Sequence, residues 1–262
     1  MLLVIALANK GVGGVDVTVI RNAEEIKNYT NTEVVALDFS KLDNNARIGV
    51  IKTSENCEKL VLIGRKRQFF NFVQIETNAS TIILKNFNAQ DAELKCTSDR
   101  CNIELIGVNS LRGKDGGRGY DEDKNGKTAL IGKTLVFSGK GELLVIGGKG
   151  LDGKDGQDGK NPFSENYNLI YNNGDDGTDG EDGGDSSLVV SCACIEGEDF
   201  SGVLRLRKGK VGRGGKGGKG SSGAAIFGHN GKDGKDGKNG TEGAFCSGKV
   251  NLVGDNIVYE YA

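Results

Sequence analysis

The sequence predicts an all-β protein built as a parallel β-helix, a solenoid of short stacked coils whose later coils carry glycine-rich excursions. Three observations support this prediction: short β-forming runs recur from residue 34, alternate runs lie about 22 residues apart, and glycine recurs at every third position in several later tracts. A period of about 22 residues without long helices is typical of coils that stack and bury an inward-facing row. The alternative is an antiparallel β-sandwich with evenly spaced strands.

The repeat lies in residues 34–110, which we assign to coils of about 22 residues. Two interleaved series of β runs show it, one starting with VVALDF (34–39) and the other with RIGVIKT (47–53). The runs of the first series centre near Leu37, Val61, Ile83 and Glu104, and those of the second near Val50, Phe72 and Leu94.

The N-terminal region has two features ahead of the coils. Residues 1–8, MLLVIALA, are similar to the end of a secretory signal, although the run is short and lacks a basic leader. The alternative is a first buried strand. Asn22 and Glu25 have capping-box spacing, which predicts a short helix over residues 23–29. We therefore assign residues 9–33 to an N-terminal cap.

The glycine tracts occupy residues 111–249, where they alternate with further β runs before a C-terminal strand at 250–262. The longest tract is Gly228–Gly243. Glycine at a period of three suits the polyproline II conformation, which has three residues per turn. Collagen is excluded because Pro162 is the only proline and the tracts are short. A buried backbone in this conformation needs hydrogen-bond partners, so we expect the tracts to lie side by side as a polyglycine II bundle. The alternative is flexible linkers.

The Gly-x-x period resembles that of two groups of proteins with polyglycine II bundles, the springtail antifreeze proteins and the tip adhesins of some tailed phages. The resemblance covers the period alone. It implies ice binding in the first case and a polar display surface in the second. The intervening Lys and Asp residues and the lack of regular Thr-x-Thr rows differ from an ice-binding face. The cysteines and glycosylation sequons fit a phage protein poorly.

Charge is distributed unevenly among the tracts. Residues 174–185 are nearly all acidic at their polar positions, whereas residues 205–219 are basic. If these tracts are neighbours, we expect their charges to pair and to select the register, since exposed pairs contribute at most about 1 kcal/mol each. The alternative for the basic tract is a site for phosphate, sulfated glycan or another acidic surface.

Cysteines and sequons together indicate a secreted protein in an oxidising, extracellular setting. The sequons are at Asn28, Asn78 and Asn239. The cysteine spacings do not match a two-pair zinc site. A cytosolic protein with free thiols is the alternative, and the sequence does not assign disulfide partners. The cysteines are Cys57, Cys96, Cys101, Cys192, Cys194 and Cys246.

One short motif predicts a metal site. Asp121, Asp123 and Asn125, followed by Gly126, have the D-x-D-x-N-G pattern with which calcium loops begin. The resemblance to an EF-hand covers half a loop, because Gly132 stands where the bidentate Glu would be. A polar turn is the alternative to calcium.

We expect a non-enzymatic structural or adhesive protein that uses a rigid scaffold for assembly or surface recognition. The expected partners are a second copy of the chain or an extracellular polysaccharide or matrix. The net charge of -2 gives no electrostatic reason to expect nucleic acid, and no apolar run is long enough to span a membrane. A carbohydrate-active β-helix enzyme, a lyase or hydrolase, is one alternative, although the β runs carry no carboxylate cluster and the chain has no Trp. Ice binding is another.

Overall fold

A computed structural model describes residues 9–10, 16–21, 33–117, 123–160, 173–223, 228–252 and 254–262. The predicted signal remnant at 1–8 and the predicted helix at 23–29 lie outside these residues. A short 3-10 helix, Gly254–Asn256, precedes the last strand. The strands are β1 (Asn9–Lys10), β2 (Asp16–Val19), β3 (Val34–Asp38), β4 (Arg47–Lys52), β5 (Lys59–Ile63), β6 (Phe70–Thr77), β7 (Thr81–Lys85), β8 (Asn88–Cys96), β9 (Arg100–Ile106), β10 (Val108–Arg112), β11 (Leu130–Ile131), β12 (Thr134–Gly139), β13 (Glu142–Ile146), β14 (Val190–Ser191), β15 (Cys194–Phe200), β16 (Val203–Arg207), β17 (Lys249–Val250) and β18 (Ile257–Glu260).

The strands form two large sheets. The first has nine strands in the order β1-β2-β3-β5-β7-β9-β12-β15-β17. The second also contains nine, with β4, β6 and β8 leading into two branches, β10-β13-β16-β18 and β11-β14. Among the described pairs, only β1 with β2 is antiparallel. Antiparallel pairing is therefore not the general rule of this protein.

The predicted fold class, a parallel β-helix with a short N-terminal capping helix, is wrong. The described chain is an all-β protein of two large, mostly parallel sheets that share one core, and the described residues contain no α-helix. The spacing of about 22 residues reflects parallel pairing within one sheet, as in the row Leu60, Ile82 and Ile103. Such a period specifies which strands pair. It does not specify how the sheets are layered or whether a helix caps them.

Inward-facing apolar side chains of both sheets form the core. Strands such as β6 and β9 alternate buried and less buried positions, as expected when one face of a sheet is covered. In β3, β5 and β7 three consecutive residues are buried, and Ala36, Val61 and Ile83 form a second, smaller cluster. Three phenylalanine rings near strand ends pack together: Phe39 is tilted against Phe70 at 5.6 Å and Phe87 at 5.9 Å, and Phe70 stacks on Phe87 at 5.5 Å, between ring centroids. The buried Asn109 of β10 links two successive passes of the chain, because its Oδ1 accepts the N–H of Phe87, 22 residues earlier, at 2.8 Å. The core thus continues through the turns.

The glycine excursions all leave the second sheet at the same place. Strand β8 runs unbroken, and its first residues pair with β10 while Leu94 and Lys95 pair with β11. Strands β10 and β11 therefore occupy together the place of one long strand beside β8, and an insertion separates them. The same division recurs between β13 and β14, and Val190 of β14 bridges to Cys246 after the last excursion. Because the insertions share one exit point, they lie beside one another.

Candidate functional site: the glycine-tract array

The excursions form an array of extended tracts beside the sheets, which we call the tract array. It consists of tract 1 (113–117 with its return at 123–127), tract 2 (147–160), tract 3 (173–187), tract 4 (208–223) and tract 5 (228–243). Adjacent tracts are joined by backbone hydrogen bonds at every third residue. Thus the N–H groups of Gly153 and Gly156 in tract 2 donate to the carbonyls of Arg213 and Lys216 in tract 4, each at 2.7 Å.

Tracts 2 and 4 run in the same direction, and tracts 3 and 5 return in the opposite one. The pairing shows this directly, because Thr178 and Glu181 of tract 3 donate to Gln157 and Lys154 of tract 2 in reverse order. In the same way, Gly180 of tract 3 donates to Lys235 of tract 5, 2.9 Å away. The described backbone therefore has the lateral bonding that an extended conformation lacks within its own strand.

Tract 4 lies at the centre of the array. It is hydrogen-bonded to tracts 2, 3 and 5. For example, the N–H of Gly215 donates to the carbonyl of Glu181 in tract 3, and the Gly215 carbonyl accepts the N–H of Gly237 in tract 5. A Cβ on Gly215 would lie 2.0 Å from the carbonyl oxygen of Lys154, and one on Gly214 would lie 2.0 Å from that of Gly237. Close backbone on both sides explains why tract 4 has two glycines in every three residues, a pattern that in the sequence looks like two overlapping registers.

Carboxylates fasten the tracts together through backbone amides. In tract 2, the Oδ1 atoms of Asp152, Asp155 and Asp158 accept the N–H groups of residues 213, 216 and 219 at 2.7–2.9 Å. Tract 3 repeats the arrangement toward tract 5 with Asp176, Asp179, Asp182 and Asp185. Tract 5 does so toward tract 4 with Asp233, Asp236 and Asn239.

The pKa of two of these carboxyls reports the bonding. The N–H of Arg213 lowers the pKa of Asp152, and the N–H and side chain of Thr241 lower that of Asp185. The prediction that residues 174–185 form ion pairs with residues 205–219 is wrong. Among the described ion pairs, none joins these two stretches. The acids bond to amides instead. The sequence signal for this role is an Asp or Asn directly before a tract glycine, and Asp185, which precedes Ser186, is an exception.

A basic groove of about 370 Å³ lies where tracts 2 and 4 leave the sheet. Arg207 pairs with Glu260, and Lys208 pairs with Glu242 at 3.0 Å while its Nζ lies 5.3 Å from the ring centroid of Tyr261. The groove is lined by Arg112, Lys149, Arg207, Lys208, Lys210 and Tyr261, together with Ile146, Gly147, Gly209 and Ala262. Arg112 and Lys149 are also ion-paired, with Asp115 and Asp152, so Lys210 is the cation of this groove for which the described residues show no ion pair.

Of the predicted calcium ligands, Asp121 lies outside the described residues, whereas Asp123 and Asn125 lie in the return of tract 1. The Asp123 carboxylate accepts from the N–H of Asn125 at 2.9 Å and pairs with Lys127. Asn125 Oδ1 accepts the N–H of Asp185 at 2.8 Å. These two side chains thus have roles in fastening the array, and the described residues contain no group of three metal-binding side chains arranged around one point.

The cysteines and two of the sequons can also be placed. Cys96 and Cys101 lie side by side in the core, and Cys192 and Cys246 lie in contact where tracts 4 and 5 join the sheets. Asn78 and Asn239 are exposed, whereas Asn28 lies outside the described residues. No helix in the described part of the chain has the length and hydropathy needed to cross a membrane.

Comparison with known proteins gives no family assignment. No protein-family model matches the sequence, and no curated protein or solved structure matches it significantly.

Proposed function

We propose that the protein is a secreted, non-enzymatic structural or adhesive protein that presents the tract array as a rigid recognition surface. The observation that carries this proposal is the lateral bonding of the array, in which backbone N–H groups and Asp oxygens fix each tract against its neighbours. Flexible linkers of this composition would not hold their side chains in fixed positions. A fixed polar surface of this kind is suited to binding a repetitive or extended partner.

The array sets the spacing of its side chains. A polyproline II chain rises about 3.1 Å per residue, so residues three apart stand about 9 Å apart in a straight column. The end of β16 and tract 4 together carry one cationic column in this register, which begins in the basic groove and continues away from the sheet. The column consists of Arg207, Lys210, Arg213, Lys216 and Lys219, and the residues are exposed.

The ligand that fits this column and groove is an acidic extracellular polysaccharide, whose charges also recur at regular intervals along an extended chain. Among the described residues, no ion pair occupies the side chains of Lys210, Lys216 or Lys219. Their charges are available to a ligand. Tyr261, 74% exposed, adds a flat apolar surface beside the groove. Binding by such a column would be electrostatic and would weaken with salt.

The test compares binding to an immobilised polyuronate and to a neutral glucan, at low and at physiological salt. The variant carries Lys210→Glu, Lys216→Glu and Lys219→Glu. Its control carries the same charge change at exposed lysines in the turns between strands, Lys41→Glu, Lys66→Glu and Lys140→Glu. We expect the tract variant to lose about tenfold or more in affinity for the polyuronate and the control to lose much less.

Three outcomes would overturn the proposal. Equal loss in both variants would mean that net charge alone attracts the polysaccharide. Release of reducing or unsaturated sugar would make the protein an enzyme, and thermal hysteresis would favour ice binding. Sedimentation without ligand separates self-association from polysaccharide binding, because a second copy occupying the surface would appear as a larger species.

A further inference from the structure

Two cysteines lie at the root of the excursion that carries tracts 4 and 5. Cys192 follows β14, before the chain enters β15 and β16 and then the two tracts, and Cys246 lies directly after tract 5. Val190 bridges to Cys246, so the two ends of this segment meet at the edge of the second sheet. A link between the two cysteines would therefore close the whole segment.

The two sulfur atoms are in contact, with Cys192 Sγ and Cys246 Sγ 3.1 Å apart. Their backbones are held in place by Ser247, whose Oγ accepts the N–H of Cys192 at 2.9 Å and donates to the Cys192 carbonyl at 2.7 Å. A disulfide has a sulfur–sulfur distance of about 2.05 Å, so bond formation needs an approach of only about 1 Å. Adjustment of the two side chains is enough for this.

We propose that Cys192 and Cys246 form a disulfide that fastens tracts 4 and 5 to the sheets. The oxidant is a low-molecular-weight disulfide of the extracellular or secretory environment. The Cys246 thiolate attacks one sulfur of the oxidant and releases one small thiolate, which leaves a mixed disulfide on Cys246. The Cys192 thiol then loses its proton and attacks the Cys246 sulfur, releasing the second small thiolate. Two protein thiols and one small disulfide thus become one protein disulfide and two small thiols.

The surroundings of the pair assign Cys246 as the first nucleophile. Either thiol can be the donor in the contact between the two sulfur atoms, and when the Cys192 thiol donates, Cys246 Sγ accepts it together with the N–H of Gly248, which lies 3.4 Å away. Together with the N–H of Ser247, these donors lower the pKa of Cys246 to about 6. The same contact raises the pKa of Cys192, and burial together with Glu196 raises that of Cys194. Cys246 is thus the thiol with the largest thiolate fraction in this group.

The pair Cys96 and Cys101 provides an internal comparison. These side chains also contact each other, but they are 4% and 0% exposed in the core. A dissolved oxidant has less access to them in the folded protein, so we expect Cys192 and Cys246 to react faster.

The experiment treats the fully reduced, full-length protein with oxidised glutathione and follows it by alkylation, proteolysis and mass spectrometry. We expect a peptide that links Cys192 to Cys246 in the wild type and in Cys194→Ser. Cys192→Ser should accumulate glutathione on Cys246, whereas Cys246→Ser should leave Cys192 at least about tenfold slower to react. Hydrogen exchange should slow at Gly231 and Gly240 when the wild type is oxidised, because the link closes the root of their tract.

Two results would overturn the proposal: free thiols at both positions after treatment, or a link from Cys246 to Cys194. If a serine variant fails to fold, the wild-type protein alone tests whether Cys246 is the reactive thiol, because the alkylation rates of Cys246 and of the buried Cys57 can be compared in the same sample. Equal rates would contradict the assignment of Cys246 as nucleophile. None of these results depends on whether the tract array binds polysaccharide.

Discussion

The two sheets and the tract array are held together in opposite ways. In the sheets, large apolar side chains such as Phe39, Leu62 and Ile82 are fully buried, and burial of apolar surface supplies the stabilisation. In the array the central positions are glycines, and the contacts are between backbones. Loss of a side chain from the sheets therefore leaves a cavity in a packed core, whereas the centre of the array has no side chain to lose and tolerates no added one. The two regions should respond differently to substitution, to acid and to loss of single hydrogen bonds.

The largest expected effect is in the core of the sheets. Phe87→Ala removes a buried ring that packs against Phe39 and Phe70, so we expect the free energy of unfolding to fall by about 3–5 kcal/mol. Denaturant unfolding followed by circular dichroism measures it. Phe69→Ala is the control, because Phe69 is 36% exposed and should cost much less. Similar losses in both variants would contradict the core described above.

The next effect is at the centre of the array. Gly215→Ala places a methyl group 2.0 Å from the carbonyl oxygen of Lys154. The nearest atoms belong to the backbone of Lys154 and Asp155, which cannot rotate away as a side chain can. We expect a cost of about 1–3 kcal/mol, confined to the array. Hydrogen exchange at Gly153, Gly215 and Gly237 should accelerate while exchange in β7 stays slow.

The control for this glycine is the next residue, Lys216→Ala, whose side chain is exposed and whose backbone bonds are kept. It should leave exchange in the array almost unchanged. Fast exchange of these glycines already in the wild type would contradict the array as a bonded structure and return the tracts to flexible chain.

A smaller effect is expected from the carboxylates that fasten the tracts. Asp179→Ala leaves the N–H of Lys235 without its acceptor at 2.7 Å, which should cost about 0.5–1.5 kcal/mol of local stability. Asp179→Asn keeps an oxygen at the same place and should cost less. Asn239 and Asn230 already perform this role toward tract 4. Hydrogen exchange at Lys235 measures the difference, and equal effects of Ala and Asn would show that charge, not the acceptor, matters.

The smallest expected effect is the loss of array stability when acid protonates its carboxylates. The pKa of Asp152 and that of Asp185 are lowered in the folded protein, so these groups stabilise the array fully above the usual Asp pKa of about 3.9. Their contribution is lost as the pH falls through the lower folded values. Amide chemical shifts of Arg213 and Thr241, followed from about pH 6 to about pH 2, should therefore change with midpoints below about 3.9. A midpoint at or above that value would contradict the two hydrogen bonds.

Part of this structure could be predicted from the sequence, because backbone periodicity is a local property. The runs around Leu62, Leu84 and Leu105 are spaced as the parallel ladder requires, and they do pair in one sheet. Their spacing could not determine the layering of two sheets, since a chain that alternates between layers gives the same period. The helix expected at 23–29 rests on a capping pattern alone and lies outside the described residues.

In the tract array, glycine spacing indicated where close backbone contact occurs, but residue types did not reveal what the acids do. Asp179 belongs to the acidic stretch that the sequence predicts to pair with the basic residues of 205–219, whereas its carboxylate accepts the backbone N–H of Lys235. Contact between Cys192 and Cys246 depends on the return of tract 5 to β14, which no local pattern encodes. The basic groove likewise combines residues from β10, β13 and β16 with the C terminus.

The shared exit point of the excursions has a consequence for how such a protein can change in length. Each excursion leaves and returns at the divided β8 position, so Gly-x-x units added to tracts 2, 3, 4 and 5 together would extend the projection by about 9 Å per unit. The pairing of β10 with β13, or of β11 with β14, would not be altered by such an insertion. The reach of the projection can thus evolve, or be engineered, in fixed steps while its base stays the same.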